Sequence, residues 1–148
     1  MSKPCPKLIK INHDFYAAKF IGRTADKRQF FLTNPFVPAR KSDPGCEFIA
    51  LYIFDSSGNF IEAKIDDLGT REKLDENYAR SLMKIRLNEL GKVWFGNIKI
   101  APFSVKKFGV VFGLIPQHTN EADQNWIVTA EPGNYMCFYP PWNGDYDT

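Results

Sequence analysis

One stretch of helical periodicity, at residues 70–90, lies among short runs that alternate like β-strands. Its apolar side chains recur every three or four residues, at Leu74, Tyr78, Leu82 and Ile85. Such spacing gives an amphipathic helix with a wide apolar stripe, which needs another element to cover it. The chain is therefore expected to contain one helix and a sheet that packs on it.

The ends of this helix carry recognisable signals. Thr70 can cap the first turn, and Glu72 suits the positive end of the helix dipole. Gly91 can end the helix in the left-handed conformation. These signals predict a helix over about residues 70–90.

Two hairpins are predicted from alternation and turn residues. Residues 47–55 are apolar on both faces, which is typical of a central strand. Residues 60–66 alternate between apolar and charged side chains and follow a Ser-Ser-Gly-Asn turn, so they are expected to pair with 47–55. Residues 15–23 and 28–33 flank a polar turn and predict the second hairpin.

The remaining segments indicate further strands and loops. Strands are expected at residues 7–11, 92–101, 108–115, 126–130 and 135–139, and loops at 34–45 and 116–124. Gly109 and Gly113 lie on the same face of the third of these strands, so we expect the helix to cross there. Filling that contact with Gly113→Leu is expected to cost about 1–3 kcal/mol.

The predicted fold class is α+β. Strands joined by short turns pair antiparallel, and 148 residues fit one domain, 1–148, with a short acidic-aromatic tail at 142–148. We expect a strongly twisted antiparallel sheet, or a half-barrel, of about seven to nine strands packed on one long helix.

Motifs for catalysis or cofactor binding are missing from the sequence. It contains no Gly-x-Ser-x-Gly, no phosphate-binding glycine loop and no Cys-x-x-Cys. His118, Glu121 and Asp123 are close in sequence, but their spacing favours a solvated loop over a metal site. We therefore predict no catalytic residue, no cofactor and no metal, and we favour a protein that is not an enzyme.

Charge and cysteine content suggest the compartment. The net charge of +2 hides blocks of one sign: +7 over residues 1–41, −5 over 42–80, +5 over 81–107 and −5 over 108–148. One such block could steer a charged partner. Three cysteines are an odd number, no apolar leader opens the sequence and no membrane-spanning run occurs, so we expect a cytoplasmic protein.

These features favour a non-enzymatic protein-interaction module, in concrete form a small inhibitor or immunity-like protein that binds another protein. Aromatic side chains on stiff, proline-rich backbone are good interface anchors, and acidic neighbours would face a basic partner. The candidate partner-binding residues are Phe36, Trp142, Asp145, Tyr146 and Asp147. The oligomeric state is left open.

Two alternatives remain. A curved sheet around a helix could leave a small-molecule cup, with Trp94, Trp126 and Trp142 as liners. The hairpin at residues 15–33 could instead bind single-stranded nucleic acid, with aromatics stacking on bases. Its candidate basic patch comprises Lys19, Arg23, Lys27 and Arg28. A pI of 8.4 and a final block without basic residues make nucleic acid the less favoured partner.

Overall fold

A computed structural model of the chain describes residues 4–119 and 125–148. In this part of the chain a 3₁₀ turn (Arg71–Lys73) precedes an α-helix, α1 (Glu76–Glu89). The strands are β1 (Ile9–Ile11), β2 (Phe20–Thr24), β3 (Gln29–Thr33), β4 (Phe36–Val37), β5 (Cys46–Phe54), β6 (Phe60–Gly69), β7 (Val93–Phe95), β8 (Ile98–Ile100), β9 (Phe103–Lys107), β10 (Val110–His118), β11 (Trp126–Glu131), β12 (Cys137–Phe138) and β13 (Tyr146–Asp147).

The described strands form three antiparallel sheets. In the largest, β6, β5, β3, β2 and β7 lie side by side, and β4 pairs with β5 beyond the end of β3. Strands β9 to β13 form a second sheet in chain order. The short strands β1 and β8 form the third.

The main core lies where these three sheets face one another. It includes Ile11 of β1, Tyr52 of β5 and Phe112 of β10, all at most 1% exposed. The Tyr52 ring meets Phe103 edge to face with centroids 4.7 Å apart, which is a favourable arrangement for two aromatic rings. The inner face of the six-stranded sheet is therefore covered by other strands.

The outer face of the same sheet carries a second, smaller cluster. Buried side chains of β3 and β5 pack there against half-buried residues of α1, among them Leu82 and Met83. The helix lies over β3 and β5. It covers one part of this face, and Phe20 of β2 and Phe95 of β7 lie beyond it.

The predicted fold class is wrong. The chain is mostly β, its helix has 14 residues, and none of those residues is fully buried. Strands occupy the place predicted for a long helix. Large apolar side chains of β5 pack on the other sheets through one face and on α1 through the other. The strands form three sheets in place of one twisted sheet or half-barrel.

The predicted start of the helix is also wrong. Thr70 makes no side-chain capping bond and precedes only the 3₁₀ turn. Asp75 is the N-cap, since its side chain accepts a hydrogen bond from the backbone N–H of Tyr78. The predicted end is confirmed, because Gly91 follows the helix with φ of 75°.

The pairing of both predicted hairpins is confirmed, as β2–β3 and β5–β6, although residues 15–19 form a turn before β2 and not part of its strand. Residues 92–101 form two strands that belong to different sheets, and strand β9 at residues 103–107 was not predicted. The predicted loops are broken by β4 and by the end of β10 at His118, while residues 120–124 lie outside the described part.

The helix does not cross the glycine face of β10. A Cβ atom on Gly113 would lie 2.1 Å from the carbonyl oxygen of Phe103. The close neighbour is thus the backbone of β9, which pairs Ser104 with Gly113. At Gly109 a Cβ would meet nothing within 4 Å.

No helix in the described residues is long and apolar enough to cross a membrane.

Candidate functional site

The loop between β1 and β2 holds two neighbouring aromatic side chains in solvent. One carboxylate oxygen of Asp14 accepts hydrogen bonds from the backbone N–H groups of Tyr16 (2.9 Å) and Ala18 (3.0 Å). Such a bonded turn fixes the loop locally. It leaves Phe15 87% exposed and Tyr16 74% exposed. We call Phe15 and Tyr16 the aromatic knob.

A distant tyrosine braces this loop. The hydroxyl of Tyr146 donates to the other carboxylate oxygen of Asp14 and accepts a hydrogen bond from the Ala17 N–H at 3.2 Å. Burial raises the pKa of Tyr146 to about 12, and the bond to Asp14 adds to the rise. Burial also acts to raise the pKa of Asp14, but the bonds from Tyr146, Tyr16 and Ala18 outweigh it, so the pKa is lowered.

His13 joins the knob to the edge of the six-stranded sheet. Its backbone N–H donates to the side-chain oxygen of Asn97 at 2.7 Å, and its ring hydrogen-bonds to the carbonyl oxygen of Lys19 at 3.0 Å. The ring stacks on Phe95 and meets Phe15 edge to face. The knob and the exposed end of β7 therefore form one surface.

Two open grooves lie near the knob, and the first of them includes Tyr16 in its wall. The first, of about 670 Å³, is lined by Tyr16, Ala17, Lys19, Phe20, Leu32, Thr33, Asn34, Phe36, Gly133, Asn134, Tyr135 and Thr148. The second, of about 440 Å³, is lined by Lys19, Phe20, Asn34, Ala79, Arg80, Met83, Lys84 and Leu87. We call the second the helix groove. The two share Lys19, Phe20 and Asn34, so they lie side by side.

The two flanks of α1 differ in charge pairing. On the β6 flank, Arg86 donates to both carboxylate oxygens of Asp66 at 2.8 Å, and Lys64 pairs with Glu89 at 3.1 Å. On the flank that lines the helix groove, Arg80 and Lys84 form no ion pair with any described residue.

Lys19, on the sheet side of the helix groove, likewise has no ion-pair partner in residues 4–119 and 125–148. The groove thus combines three unpaired cations with apolar walls from Phe20, Met83 and Leu87.

Three rings beside the knob, those of Phe20, Trp94 and Phe95, each carry another side chain on one face. The Lys19 ammonium lies 5.3 Å from the centre of the Phe20 ring, and the Lys92 ammonium lies 5.2 Å from the Trp94 ring. His13 covers Phe95. A base would have to displace these groups before it could stack there.

The four residues of the predicted basic patch do not lie together in the structure. Lys19 lies at the start of β2, whereas Lys27, with φ of 68°, lies in the turn at the other end. Arg28 pairs with Asp26 at 2.9 Å, and Arg23 lies opposite Trp94 of β7.

Most of the predicted partner-binding residues make contacts within the chain. Trp142 packs on the main core, Asp145 accepts a hydrogen bond from Asn12 at 3.2 Å, and Tyr146 braces Asp14. Asp147 is exposed on β13. Phe36 lines the first groove beneath the guanidinium of Arg71, 5.6 Å away. A role for these five residues in partner binding stays a prediction.

Other candidate sites have weaker support. Within the described part of the chain no three metal-ligating side chains cluster, and Glu121 and Asp123 lie outside that part. Trp94, Trp126 and Trp142 line neither of these two grooves, and the small-molecule cup that the sequence suggested stays a prediction.

The sequence did not single out Arg80 and Lys84, because only the packing of α1 brings them beside Lys19. It placed Phe15 in a strand, although the preceding Asp14 is the residue type that forms such turns. That signal could have located the knob.

No known protein family, curated protein or solved structure matches this chain. The geometry of this surface is therefore the main indication of function.

Proposed function

We propose that this protein is a protein-interaction module that binds another protein through the aromatic knob and the grooves beside it. The observation that supports this most directly is the exposure of Phe15 and Tyr16 on a loop fixed by Asp14 and Tyr146. A rigid aromatic pair loses little conformational entropy on binding, and such residues dominate interface energies. An inhibitor or immunity-like role remains the specific form that the sequence predicts.

A protein partner fits this surface better than single-stranded nucleic acid. Base stacking needs free ring faces, and one face each of Phe20, Trp94 and Phe95 is covered by Lys19, Lys92 and His13, respectively. The rings of Phe15 and Tyr16 stay exposed, so the test includes nuclease treatment. We also propose that the protein acts in the cytoplasm, because Cys5, Cys46 and Cys137 are all free thiols.

The test is affinity capture from host cells, with bound proteins quantified by mass spectrometry. The variant Phe15→Ala/Tyr16→Ala should lose a partner that the wild-type protein retains, with an affinity about 30-fold weaker if the pair is a hot spot. The matched control is Tyr78→Ala/Ile85→Ala, which removes two exposed apolar side chains (57% and 54% exposed) from α1. Neither of these residues lines the helix groove.

Equal capture by the wild-type protein and the knob variant would contradict the proposal. So would a captured fraction that disappears on nuclease treatment, because the partner would then be bound through nucleic acid. Circular dichroism of both variants should show the wild-type fold, since the substituted side chains lie in solvent.

A further inference from the structure

Resting on the proposed function, we infer that the helix groove binds an acidic segment of the partner in extended conformation. The groove holds the three cations Lys19, Arg80 and Lys84, and it is bordered by no described carboxylate. Among the described residues Arg80 donates a hydrogen bond only to the neutral side chain of Asn77, at 2.7 Å. On the other flank of α1, by contrast, Arg86 is bonded to the Asp66 carboxylate at 2.8 Å. The groove is therefore complementary to negative charge.

The spacing of the cations specifies how the acids are arranged. Arg80 and Lys84 are one turn apart on α1, about 6 Å along the helix axis. Alternate side chains of an extended chain point the same way and are about 6.6 Å apart. Two acidic residues separated by one other residue can therefore face Arg80 and Lys84 together.

The residue between the two acids points to the opposite wall. That wall is formed by Phe20 of β2, with Lys19 beside it, while Met83 and Leu87 line the helix side. An apolar side chain at this middle position would contact the Phe20 ring. The groove thus fits an acidic–apolar–acidic segment.

The neighbouring positions of the two grooves support a polypeptide over a small anion. The helix groove shares Lys19, Phe20 and Asn34 with the first groove, which reaches Tyr16 of the knob. A chain bound beside α1 can continue towards the knob without leaving the surface. The segment and the knob would then contact one partner.

The test uses the full-length protein and two labelled peptides, Glu-Leu-Glu-Leu-Glu and its glutamine analogue Gln-Leu-Gln-Leu-Gln. Fluorescence anisotropy should show saturable binding of the acidic peptide, weakened by added salt, and much weaker binding of the analogue. The variant Lys19→Gln/Arg80→Gln/Lys84→Gln should bind the acidic peptide about tenfold less tightly, since each exposed pair contributes modestly.

A charge-matched control excludes a general effect of net charge. Lys41→Gln/Lys73→Gln/Lys106→Gln removes three exposed cations outside the groove and should leave peptide affinity within about twofold of wild type. Thermal melting confirms that both triple variants are folded.

Four results would overturn the inference: no saturable binding of the acidic peptide, equal binding of the analogue, equal loss in both triple variants, or tighter binding of single-stranded oligothymidylate than of the peptide. Partner capture distinguishes this inference from the proposed function. If the groove variant retains a partner that the knob variant loses, the groove inference fails and the proposed function stands.

Discussion

The hydroxyl of Tyr146 donates a hydrogen bond to a carboxylate oxygen of Asp14, 132 residues earlier in the chain. The same hydroxyl accepts the backbone N–H of Ala17. One side chain on β13 therefore holds both ends of the turn that carries Phe15 and Tyr16. The sequence predicted that Tyr146 contacts a partner; in the structure its hydroxyl positions the loop that carries Phe15 and Tyr16.

Replacing this tyrosine should loosen the knob. Tyr146→Phe removes both bonds and leaves Asp14 and Ala17 each short of a partner, so we expect a loss of about 1–3 kcal/mol in the free energy of unfolding. Urea denaturation measures the loss, and Tyr139→Phe is the control, since no side-chain bond of Tyr139 is seen in the described residues. Equal stability of the two variants would contradict the bracing role.

The same contact predicts a dependence of stability on alkaline pH. The pKa of Tyr146 is raised to about 12 in the folded protein, above its ordinary value of 10.0. The unfolded chain therefore loses this proton first, and the stability contributed by the protonated hydroxyl is present below pH 10 and lost as the pH rises towards 12.

Unfolding free energies measured from pH 9 to 12 should therefore fall more steeply for the wild-type protein than for Tyr146→Phe. Parallel slopes would show that this hydroxyl titrates alike in the folded and unfolded chains.

Buried Tyr52 and half-buried Tyr135 should respond oppositely to removal of the hydroxyl. Among the described residues the Tyr52 hydroxyl has no hydrogen-bond partner, although the side chain is 1% exposed. Tyr52→Phe should therefore leave stability unchanged or raise it by up to about 1 kcal/mol. Tyr135→Phe should lower stability by about 1 kcal/mol, because the Thr33 hydroxyl donates to Tyr135 at 3.0 Å. Chemical denaturation that ranks the variants the other way would refute this.

The close approach of β9 to β10 makes Gly113 sensitive to any side chain. Gly113→Ala would place a methyl group 2.1 Å from the Phe103 carbonyl oxygen, at a backbone φ of +143°. We expect a loss of at least about 2 kcal/mol in unfolding free energy. Gly109→Ala, at φ of +72° with open space around it, should cost about 1 kcal/mol. Similar melting temperatures for the two variants would contradict the steric explanation.

Local pattern was enough to predict the paired strands. The alternation in 60–66 and the doubly apolar run at 47–55 gave the β5–β6 hairpin, and a polar turn gave β2–β3. The same alternation marks β9, where Phe103 and Val105 face inward, but its two lysines obscured the strand. These features depend on neighbours in sequence, so they could be read without the fold.

The arrangement of the sheets could not be read in that way. Strands β7 and β8 are separated by Gly96 and Asn97 yet pair with β2 and β1 in different sheets. The inner face of β5 is covered by β9 and β10, whose residues lie about fifty or more positions later in the chain. Of the helix groove, Lys19 was named from sequence, whereas Arg80 joins it only through the packing of α1.

The long separation between Asp14 and Tyr146 has a consequence during synthesis. A ribosome must release residue 146 before the turn at residues 14–18 can acquire its brace. Nascent chains that have not reached residue 146 would carry Phe15 and Tyr16 on an untethered loop, without the preorganised pair that a partner would recognise. Recognition would thus begin only once β13 has been made.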